Sequence, residues 1–418
     1  KLEELIESQE DHWMPLESYT FVHRDAKLSD SQRKILIDWA KDLRTQISKA
    51  KRIVVKVGSS SLTTAQGGID TQRVNAIVDS LAKHKNAGHE IVLVSSGAIA
   101  AGLSPLGLTS RPKDLALQQA VASVGQGLLV HRYAESFAKH GITVGQVLLT
   151  AEDMSRRSNY RNAQRTFAKL LELGVIPIVN ENDTVATDEI RVGDNDRLAG
   201  IVTHLINAEA LVLLSDVDGL MTAPPEESNS TLISEVKTFD DISGAQIGGA
   251  GNSGVGSGGM STKVQAARIA TAGGVPTIVT SASNLSFVFE GKDVGTVFHP
   301  GKEKLSARSL WLAHATDVRG SISIDQGAVI AVTEKRASLL PAGIKNVTGE
   351  FEVGDAVEIV SENGTVLGRG LVNFDSSELP NLMGKNSAKL LQEFGEGYDK
   401  EVIHRDDLVL IDDQVSKN

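Results

Sequence analysis

Short runs of apolar residues recur along the first 300 positions of the chain. They lie at Ile53–Val57, Ile91–Val94, Val144–Leu149, Val175–Val179, Leu211–Leu214 and Thr277–Val279. Short continuous apolar runs of this kind are typical of strands buried inside a sheet. The sequence therefore predicts six buried strands.

A helical pattern separates the first two runs. Apolar residues follow the i, i+3, i+4, i+7 spacing of one helix face at Val74, Ile77, Val78, Leu81 and Ala82. Gly88 stands where a helix C-terminal cap belongs. This alternation of strand and helix continues to about residue 300. It predicts an α/β fold, a mostly parallel sheet sandwiched by helices. Ligands of such sheets bind beyond the carboxyl ends of the strands.

The pattern changes from about residue 320 to short segments separated by glycine-containing turns. These segments are Ser321–Ile324, Ala328–Val332 and Ala356–Val360, and they predict a small β-rich domain. We place a hinge near Gly301–Ser306, where Pro300 and Gly301 interrupt the pattern. We expect three parts: a partly helical extension over 1–50, an α/β domain over 51–303 and a β-rich domain over 311–400.

Composition and charge exclude several classes of protein. The 418 residues include no cysteine, which excludes disulfides, thiolate zinc sites, iron–sulfur clusters and a cysteine nucleophile. The formal net charge of −11 disfavours a general nucleic-acid binder, which needs a basic face. No apolar run approaches a membrane span and no signal-peptide pattern begins the sequence, so we expect a cytoplasmic protein without a membrane partner.

The first strand carries a lysine, Lys56, and is followed by Gly58 and three serines. A buried lysine needs an anionic partner, and small residues offer backbone N–H groups to a phosphate. The alternative is an edge-strand lysine whose ammonium group reaches the solvent. No Walker-type GxxxxGK[ST] motif occurs in the chain.

Polar clusters follow other predicted strands. The second strand leads into Ser96–Gly102, whose small residues let a ligand approach the backbone. The fourth leads into Asn180–Asp183, with Gly193–Asp196 shortly after. Such carboxylates and amides could hold an ammonium group, a lysine or Mg²⁺, although clusters of this kind also form ordinary turns.

A glycine-rich loop over Gly254–Lys263 opens a helix, with Lys263 in its first turn. A cation is unfavourable at a helix N-terminus unless an anion lies nearby, and phosphate is the natural anion. A flexible linker is the alternative. Ser215 and Asp216, which follow the fifth strand, complete the set of candidates.

Five motifs occur together and in order: Lys56–Ser60, Ser96–Gly102, Asn180–Asp183, Val192–Asp196 and Gly258–Lys263. In this combination the chain over about residues 51 to 410 resembles the bacterial glutamate 5-kinase family, which has the amino-acid kinase fold. The later part, including Ser338–Ile344, resembles the C-terminal PUA domain of that family. The extension over 1–50 is the one large departure.

The resemblance implies transfer of the ATP γ-phosphoryl group to the γ-carboxylate of L-glutamate, for proline synthesis. It implies that Lys56 and Lys263 hold phosphoryl oxygens and that Asp196 orients the two lysines. The implied glutamate site comprises Ser96, Asn180, Asp183, Asp194 and Asn195. The implied nucleotide site comprises Lys56, Ser215, Asp216, Ser257, Gly258, Gly259, Met260, Ser261, Thr262 and Lys263. Ser215 stands where many members of the family have threonine, and the hydroxyl is kept.

The resemblance also implies Mg²⁺ with ATP, no metal ligands among the side chains, proline as a feedback inhibitor, and a homo-oligomer, either a dimer or a tetramer.

Acetylglutamate kinase, aspartokinase, carbamate kinase and uridylate kinase share the fold and stay open as alternatives. A regulatory or RNA-binding role of the PUA domain is another alternative. Residues 312–390 contain seven Lys and Arg against ten Asp and Glu, so we expect no nucleic-acid partner.

The extension has its own resemblance. Trp13–Leu16 and Asp25–Ser29, followed by helical spacing through Ile35, Trp39 and Leu43, resemble the tail of small bacterial haem-binding domains. Met14 would correspond to the axial ligand of those domains. The chain has no CxxCH attachment motif, so we expect no haem.

Overall fold

The structure is a computed structural model. It describes residues 43–64, 68–150, 153–154, 157–185, 195–224, 230–243, 259–301, 307–314, 318–395, 397–398 and 400–410. The described residues form two compact units. The larger unit comprises those within Lys1–Thr150 and Arg161–Lys304, and the smaller unit comprises those within Ala151–Tyr160 and Leu305–Asn418.

The larger unit is built on a sheet of eight strands in the order β3-β4-β2-β1-β5-β7-β8-β6. The strands are β1 Arg52–Val57, β2 Glu90–Ser95, β3 Val144–Leu149, β4 Ile176–Glu181, β5 Ala210–Ser215, β6 Glu235–Val236, β7 Thr277–Ser281 and β8 Thr296–Phe298. The six strands from β3 to β7 are mutually parallel, β8 runs antiparallel to β7, and β6 runs parallel to β8. The expectation of a mostly parallel α/β sheet is confirmed.

Helices connect these strands. They are α1 Thr71–Asn86, α2 Ala98–Leu103, α3 Leu115–Ala138, α4 Arg157–Glu172, α5 Asn195–Leu205, α6 Met260–Ala272 and α7 Leu285–Phe289. Helix α1 begins where the Asp70 carboxylate accepts the N–H groups of Gln72 and Arg73 at 3.0 and 3.1 Å. It ends just before Gly88, which has a φ of +98° and supplies the expected left-handed turn.

Residues 43–49 are helical and pack into the core of the larger unit. Ile47 is fully buried, and Leu43 and Ala50 are buried beside it. The Arg44 guanidinium donates to the carbonyl of Val294 and pairs with Asp293. The helix predicted to run through Leu43 is therefore present at that residue. The earlier part of that prediction lies outside the described residues.

The smaller unit is built on five strands in the order β10-β9-β11-β12-β13. These are β9 Val318–Ile324, β10 Ile344–Gly349, β11 Ala356–Ser361, β12 Val366–Leu371 and β13 Leu408–Leu410. Its helices are α8 Ala307–His314, α9 Gln326–Thr333, α10 Leu379–Leu382 and α11 Ser387–Phe394. Strands β9 and β11 are parallel and the other pairs are antiparallel. The expected β-rich second domain is confirmed.

One predicted strand is wrong. The apolar segment Ala328–Val332 lies inside helix α9. The Asp325 carboxylate accepts the N–H of Ala328 at 2.8 Å and caps the helix. A run of five apolar residues fits a buried strand and a short helix equally well, so the cap decides between them.

No described helix combines the length and the hydropathy that a bilayer span requires. The hinge predicted at Gly301–Ser306 falls, apart from Gly301, outside the described residues.

Helices α2 and α3 cross too closely for side chains at the crossing point. A Cβ atom on Gly125 would lie 1.8 Å from the carbonyl oxygen of Ala98, and one on Gly102 would lie 2.1 Å from that of Val121. The backbones themselves are therefore in contact. Helix α2 follows the carboxyl end of β2 directly, so this crossing fixes the backbone at that edge of the sheet.

We expect Gly125→Ala to destabilise the chain by about 1–3 kcal/mol, because the two helices must separate to admit the methyl group. Gly127→Ala is the matched control in the same helix, since nothing lies within 4 Å of its Cβ position. That change should stabilise the chain by up to about 1 kcal/mol through helix propensity. Urea unfolding of the two variants and the wild type measures both effects, and equal midpoints for the two variants would contradict the close crossing.

Candidate active site

The six parallel strands of the larger unit have their carboxyl ends along one edge of the sheet. The register pairs Val57 with Ser95 and Ser215 with Ser281, and it sets Lys56 between β2 and β5. The carboxyl ends of parallel strands meet in this way at one edge, where ligands of such sheets bind. The predicted site residues that follow β1, β2, β4 and β5 therefore belong to one edge.

A buried carboxylate joins two lysines at this edge. Asp196 is fully buried, and its Oδ1 lies 2.6 Å from Nζ of Lys56 while its Oδ2 lies 3.3 Å from Nζ of Lys263. Both lysines are buried, with exposed fractions of 2% and 6%. The Thr262 hydroxyl donates to the same Oδ2 at 2.8 Å. The anionic partner expected for the strand lysine is thus Asp196.

Packing between helices α5 and α6 sets this geometry. Asp196 is the second residue of α5, and Lys263 lies in the first turn of α6. A Cβ atom on Gly200 would lie 3.1 Å from both the carbonyl of Ala266 and Cβ of Ile269, so the helices approach closely there. Two helix N-termini therefore converge on one point, and both contribute positive potential to it.

The charges around Asp196 decide its protonation. Burial by itself raises the pKa of this carboxyl, but the positive charges of Lys56 and Lys263, with hydrogen bonds from Lys56 and Thr262, bring the pKa below its ordinary value. Asp196 is therefore ionised at neutral pH. Two ammonium groups and one carboxylate leave one net positive charge in a buried place, which suits a multiply charged anion.

Amide side chains form a second group at the carboxyl ends of β2 and β4. The N–H of Glu181 donates to Oδ1 of Asn180 at 2.9 Å and to Oδ1 of Asn195 at 3.2 Å. The Asn195 amide donates in turn to the Ser96 hydroxyl at 3.2 Å. The structure thus brings together three of the predicted substrate residues, although 99 residues separate Ser96 from Asn195.

The structure describes most of the remaining predicted site residues, but not all of them. Asp183 is partly buried in the turn after β4. Ser215 is buried at the end of β5, and its hydroxyl lies 3.2 Å from the exposed Asp216 carboxylate. Gly259, Met260, Ser261 and Thr262 form the start of α6, where Ser261 is exposed. Asp194, Ser257 and Gly258 lie outside the described residues.

Sequence reasoning missed Gln126, which completes the amide group. Its Oε1 accepts the Asn180 amide at 2.8 Å, and the side chain is 8% exposed. Gln126 occupies a position on the buried face of α3, between Val121 and Leu129. A polar residue at an apolar position of a helix pattern is the signal that could have revealed it.

Tyr133 was also missed. It is fully buried, and its hydroxyl lies 3.0 Å from the Ser95 hydroxyl at the end of β2. Burial raises the pKa of this phenol, against the opposing effect of the bond with Ser95. Tyr133 therefore stays protonated, and it helps to hold the strand end from which Ser96 follows.

We expect Asp196→Asn to destabilise the chain by about 3–5 kcal/mol at neutral pH, because two buried ammonium groups lose their carboxylate. The wild-type carboxyl has a lowered pKa, so the stability it adds is complete above the ordinary value of 3.8 and is lost as the pH falls through the lowered value. The difference between wild type and variant should therefore shrink below about pH 4. Urea midpoints from pH 7 downward measure this.

Glu172→Gln is the control for Asp196→Asn. Glu172 is exposed and pairs with Lys169 on the surface of α4, so its loss should cost less than about 1 kcal/mol. An Asp196→Asn variant that unfolds at the same urea concentration as Glu172→Gln would contradict the buried triad.

The amino acid kinase family matches residues 51–281, which is more than half of the chain. Among curated relatives, a glutamate 5-kinase of Salinispora arenicola is 58% identical over 88% of this chain and 100% of its own length. A glutamate 5-kinase of Streptomyces coelicolor is 58% identical over 88% of this chain and 98% of its own length. A solved structure of carbamate kinase from Giardia lamblia, 18% identical, covers 61% of this chain and all of its own with a TM-score of 0.44.

Two further families match the ends of the chain. The PUA domain matches residues 320–394, and a haem-binding domain matches residues 1–42, which lie outside the described residues. Both matches agree with the resemblances found in the sequence. On the family match and the full-length identity, the chain belongs to the amino acid kinase family and, within it, to the glutamate 5-kinases.

Proposed function

We propose that the chain catalyses ATP-dependent phosphorylation of the γ-carboxylate of L-glutamate, giving L-glutamyl 5-phosphate, the first step of proline biosynthesis. The observation that carries this proposal is 58% identity over the whole length of a relative named glutamate 5-kinase. The buried Lys56–Asp196–Lys263 triad supports it, because its excess positive charge suits phosphoryl transfer.

The acceptor in this reaction needs no general base. A side-chain carboxyl with a pKa of about 4 is ionised at neutral pH and can attack phosphorus directly. Catalysis then comes from positioning of the two substrates and from neutralisation of the charge on the transferring group. The γ-carboxylate forms a bond to the γ-phosphorus of ATP, the bond from that phosphorus to the bridging oxygen breaks, and ADP leaves.

The two lysines take distinct positions in this proposal. Lys56 reaches the site from the end of β1 and Lys263 from the start of α6, so they approach the phosphoryl oxygens from different elements. Asp196 orients both ammonium groups, since one of its oxygens lies against each. Asp196 accepts no proton in the reaction, because the lysines favour its ionised form.

The amide group at β2 and β4 is the proposed glutamate site. Ser96, Asn180 and Asn195 are already joined through the Glu181 N–H and the Asn195 amide. Asp183 lies in the turn that follows, where its carboxylate can hold the ammonium group of a free amino acid. We place Asp194 in the same site on the family pattern alone.

The proposed nucleotide site comprises residues at the carboxyl end of β5 and at the start of α6. Ser215 and Asp216 follow β5, while Gly259, Met260, Ser261 and Thr262 lead into Lys263. Backbone N–H groups at the start of a 13-residue helix favour a phosphate. Ser257 and Gly258 belong to this site by the family pattern.

Magnesium enters this proposal with ATP as part of the substrate. Among the described residues, no cluster of three or more His, Asp or Glu side chains could hold a metal ion. Both oxygens of Asp196 lie against lysine or threonine and are not suited to Mg²⁺. A magnesium ion held mostly by phosphate oxygens and water needs no dedicated protein cage.

Other parts of the proposal come from the family. Feedback inhibition by proline, a homo-oligomeric state and a cytoplasmic location stay predictions. We expect no haem, since the chain has no cysteine with which to attach one.

A hydroxylamine trap tests the substrate, because an acyl phosphate converts to a stable hydroxamate. We expect hydroxamate formation that depends on ATP and Mg²⁺ with L-glutamate, and none above background with N-acetylglutamate or aspartate. The acetyl group removes the ammonium charge that Asp183 would hold, and aspartate is one methylene shorter. Faster product formation with N-acetylglutamate or aspartate than with glutamate would contradict the proposed substrate.

Lys263→Ala tests the catalytic triad. We expect kcat to fall by about 100-fold or more with little change in the glutamate KM, because the lost charge acts on the transition state. The chain should stay folded, since Asp196 keeps Lys56 and Thr262. Lys169→Ala, which removes an exposed lysine of α4, is the control and should keep wild-type kcat. A Lys263→Ala variant with near-normal kcat would refute the role.

A further inference from the structure

Residues 43–50 lie between two family matches. The haem-binding domain match ends at residue 42, and the amino acid kinase match begins at residue 51. The structure packs this segment into the core of the larger unit, where Ile47 is fully buried. The segment therefore gives the larger unit contacts that lie outside both family matches.

Arg44 anchors this segment through polar contacts. Its side chain is 5% exposed, and the guanidinium donates to the Val294 carbonyl and pairs with Asp293. Its Nη2 also reaches the Ser234 carbonyl at 3.5 Å. A guanidinium carries several donors in a fixed planar fork, so one side chain holds several groups in a set geometry. Arg44 thus joins two segments that are far apart in the sequence, one at Val294 and one at Ser234.

Thr296 joins the same two segments to the loop over 216–220. This residue is fully buried. Its hydroxyl donates to the Ile233 carbonyl at 2.5 Å and accepts the N–H of Leu220 at 2.7 Å. The Leu220 carbonyl in turn accepts the N–H of Ile233 at 2.8 Å. The loop that follows β5 is therefore fixed by hydrogen bonds to the segments that Arg44 contacts.

Arg44 and Thr296 act on neighbouring backbone groups. Val294, whose carbonyl accepts from Arg44, lies two residues before Thr296. Ser234 directly follows Ile233. A displacement of either segment at Arg44 therefore displaces a hydrogen-bonding partner of the loop.

The loop over 216–220 carries part of the proposed nucleotide site. Asp216 begins it, directly after β5. A Cβ atom at Gly219 would lie 2.7 Å from the Thr296 hydroxyl oxygen, so the loop packs tightly against that residue. The position of Asp216 is therefore tied to the position of Thr296.

These contacts give Arg44 a part in nucleotide binding. We propose that Arg44 is a positioning residue for ATP: it holds the segments at Val294 and Ser234, and Thr296 links them to the loop that carries Asp216. This role rests on the proposed nucleotide site. In the strand order the network lies on the side of β5, β7, β8 and β6, whereas the proposed glutamate site lies at β2 and β4, on the other side of β1. Loss of Arg44 should therefore weaken ATP binding and leave glutamate binding unchanged.

Arg44→Ala tests this role. We expect the Kd of adenylyl imidodiphosphate, a non-hydrolysable ATP analogue titrated with Mg²⁺ into the full-length chain, to rise about fivefold. The glutamate KM in the hydroxamate assay should stay within about twofold of the wild-type value. Leu43→Ala is the matched control, since Leu43 is buried in the same helix but packs in the apolar core. That variant should lose stability and keep the wild-type Kd. Equal Kd values for the two variants, or a wild-type Kd for Arg44→Ala, would overturn the proposal.

Thr296→Val tests the same path from its other end, in a variant that keeps Arg44. Valine has the shape of threonine but lacks the hydroxyl between Ile233 and Leu220, so the Kd of the analogue should rise by a similar factor. Thr296→Ser keeps the hydroxyl and should keep the wild-type Kd. Because Arg44→Ala and Thr296→Val break one path, the double variant should bind about as weakly as either single variant. Losses that multiply in the double variant, or wild-type binding in Thr296→Val, would contradict the path.

Failure of the proposed substrate is told apart from failure of this role, because the Kd is measured without glutamate. A wild-type chain that binds the analogue but makes no glutamyl hydroxamate would refute the substrate alone, while the Kd comparison still decides the role of Arg44. A wild-type chain that does not bind the analogue would overturn the role of Arg44 together with the nucleotide site.

Discussion

The burial of Asp196 between two lysines is the interaction on which the site depends. Removing three charges from water is costly, and one carboxylate cannot neutralise two ammonium groups. The arrangement is kept because β1, α5 and α6 each bring one charge to the same place, and each of these elements has buried apolar residues that anchor it. The remaining positive charge is satisfied when an anion enters. The site is therefore organised before substrate arrives, as electrostatic catalysis requires.

Close backbone packing makes this arrangement possible. Gly200 lets α6 approach α5, and Gly102 with Gly125 lets α2 cross α3. The first contact sets the distance from Asp196 to Lys263, and the second sets the path of the backbone after Ser96. Neither contact involves a side chain that would touch a substrate. Small residues far from the chemistry thus determine where the charged and polar groups stand.

The sequence predicted the parts of this protein that rest on local pattern. The six apolar runs match strands to within one or two residues at most ends, and the run at Val144–Leu149 has the same bounds as β3. Lys56 was expected to have an anionic partner because a charge in a buried strand needs one. The segment Ala328–Val332 failed because its composition suits both a strand and a helix, and only the cap from Asp325 separates them. The roles of Asp183, Ser215 and the start of α6 came from family resemblance and stay predictions.

The helix pattern could mark Gln126 as a polar residue on an apolar face, but it could not identify its partner, because Asn180 lies 54 residues away in the sequence. The inner face of α3 therefore serves the site in two ways. It holds the Asn180 amide through Gln126, and it meets α2 through Gly125. Both residues belong to one 24-residue helix, so the packing that fixes this helix against α2 also restrains the amide group at the proposed glutamate site.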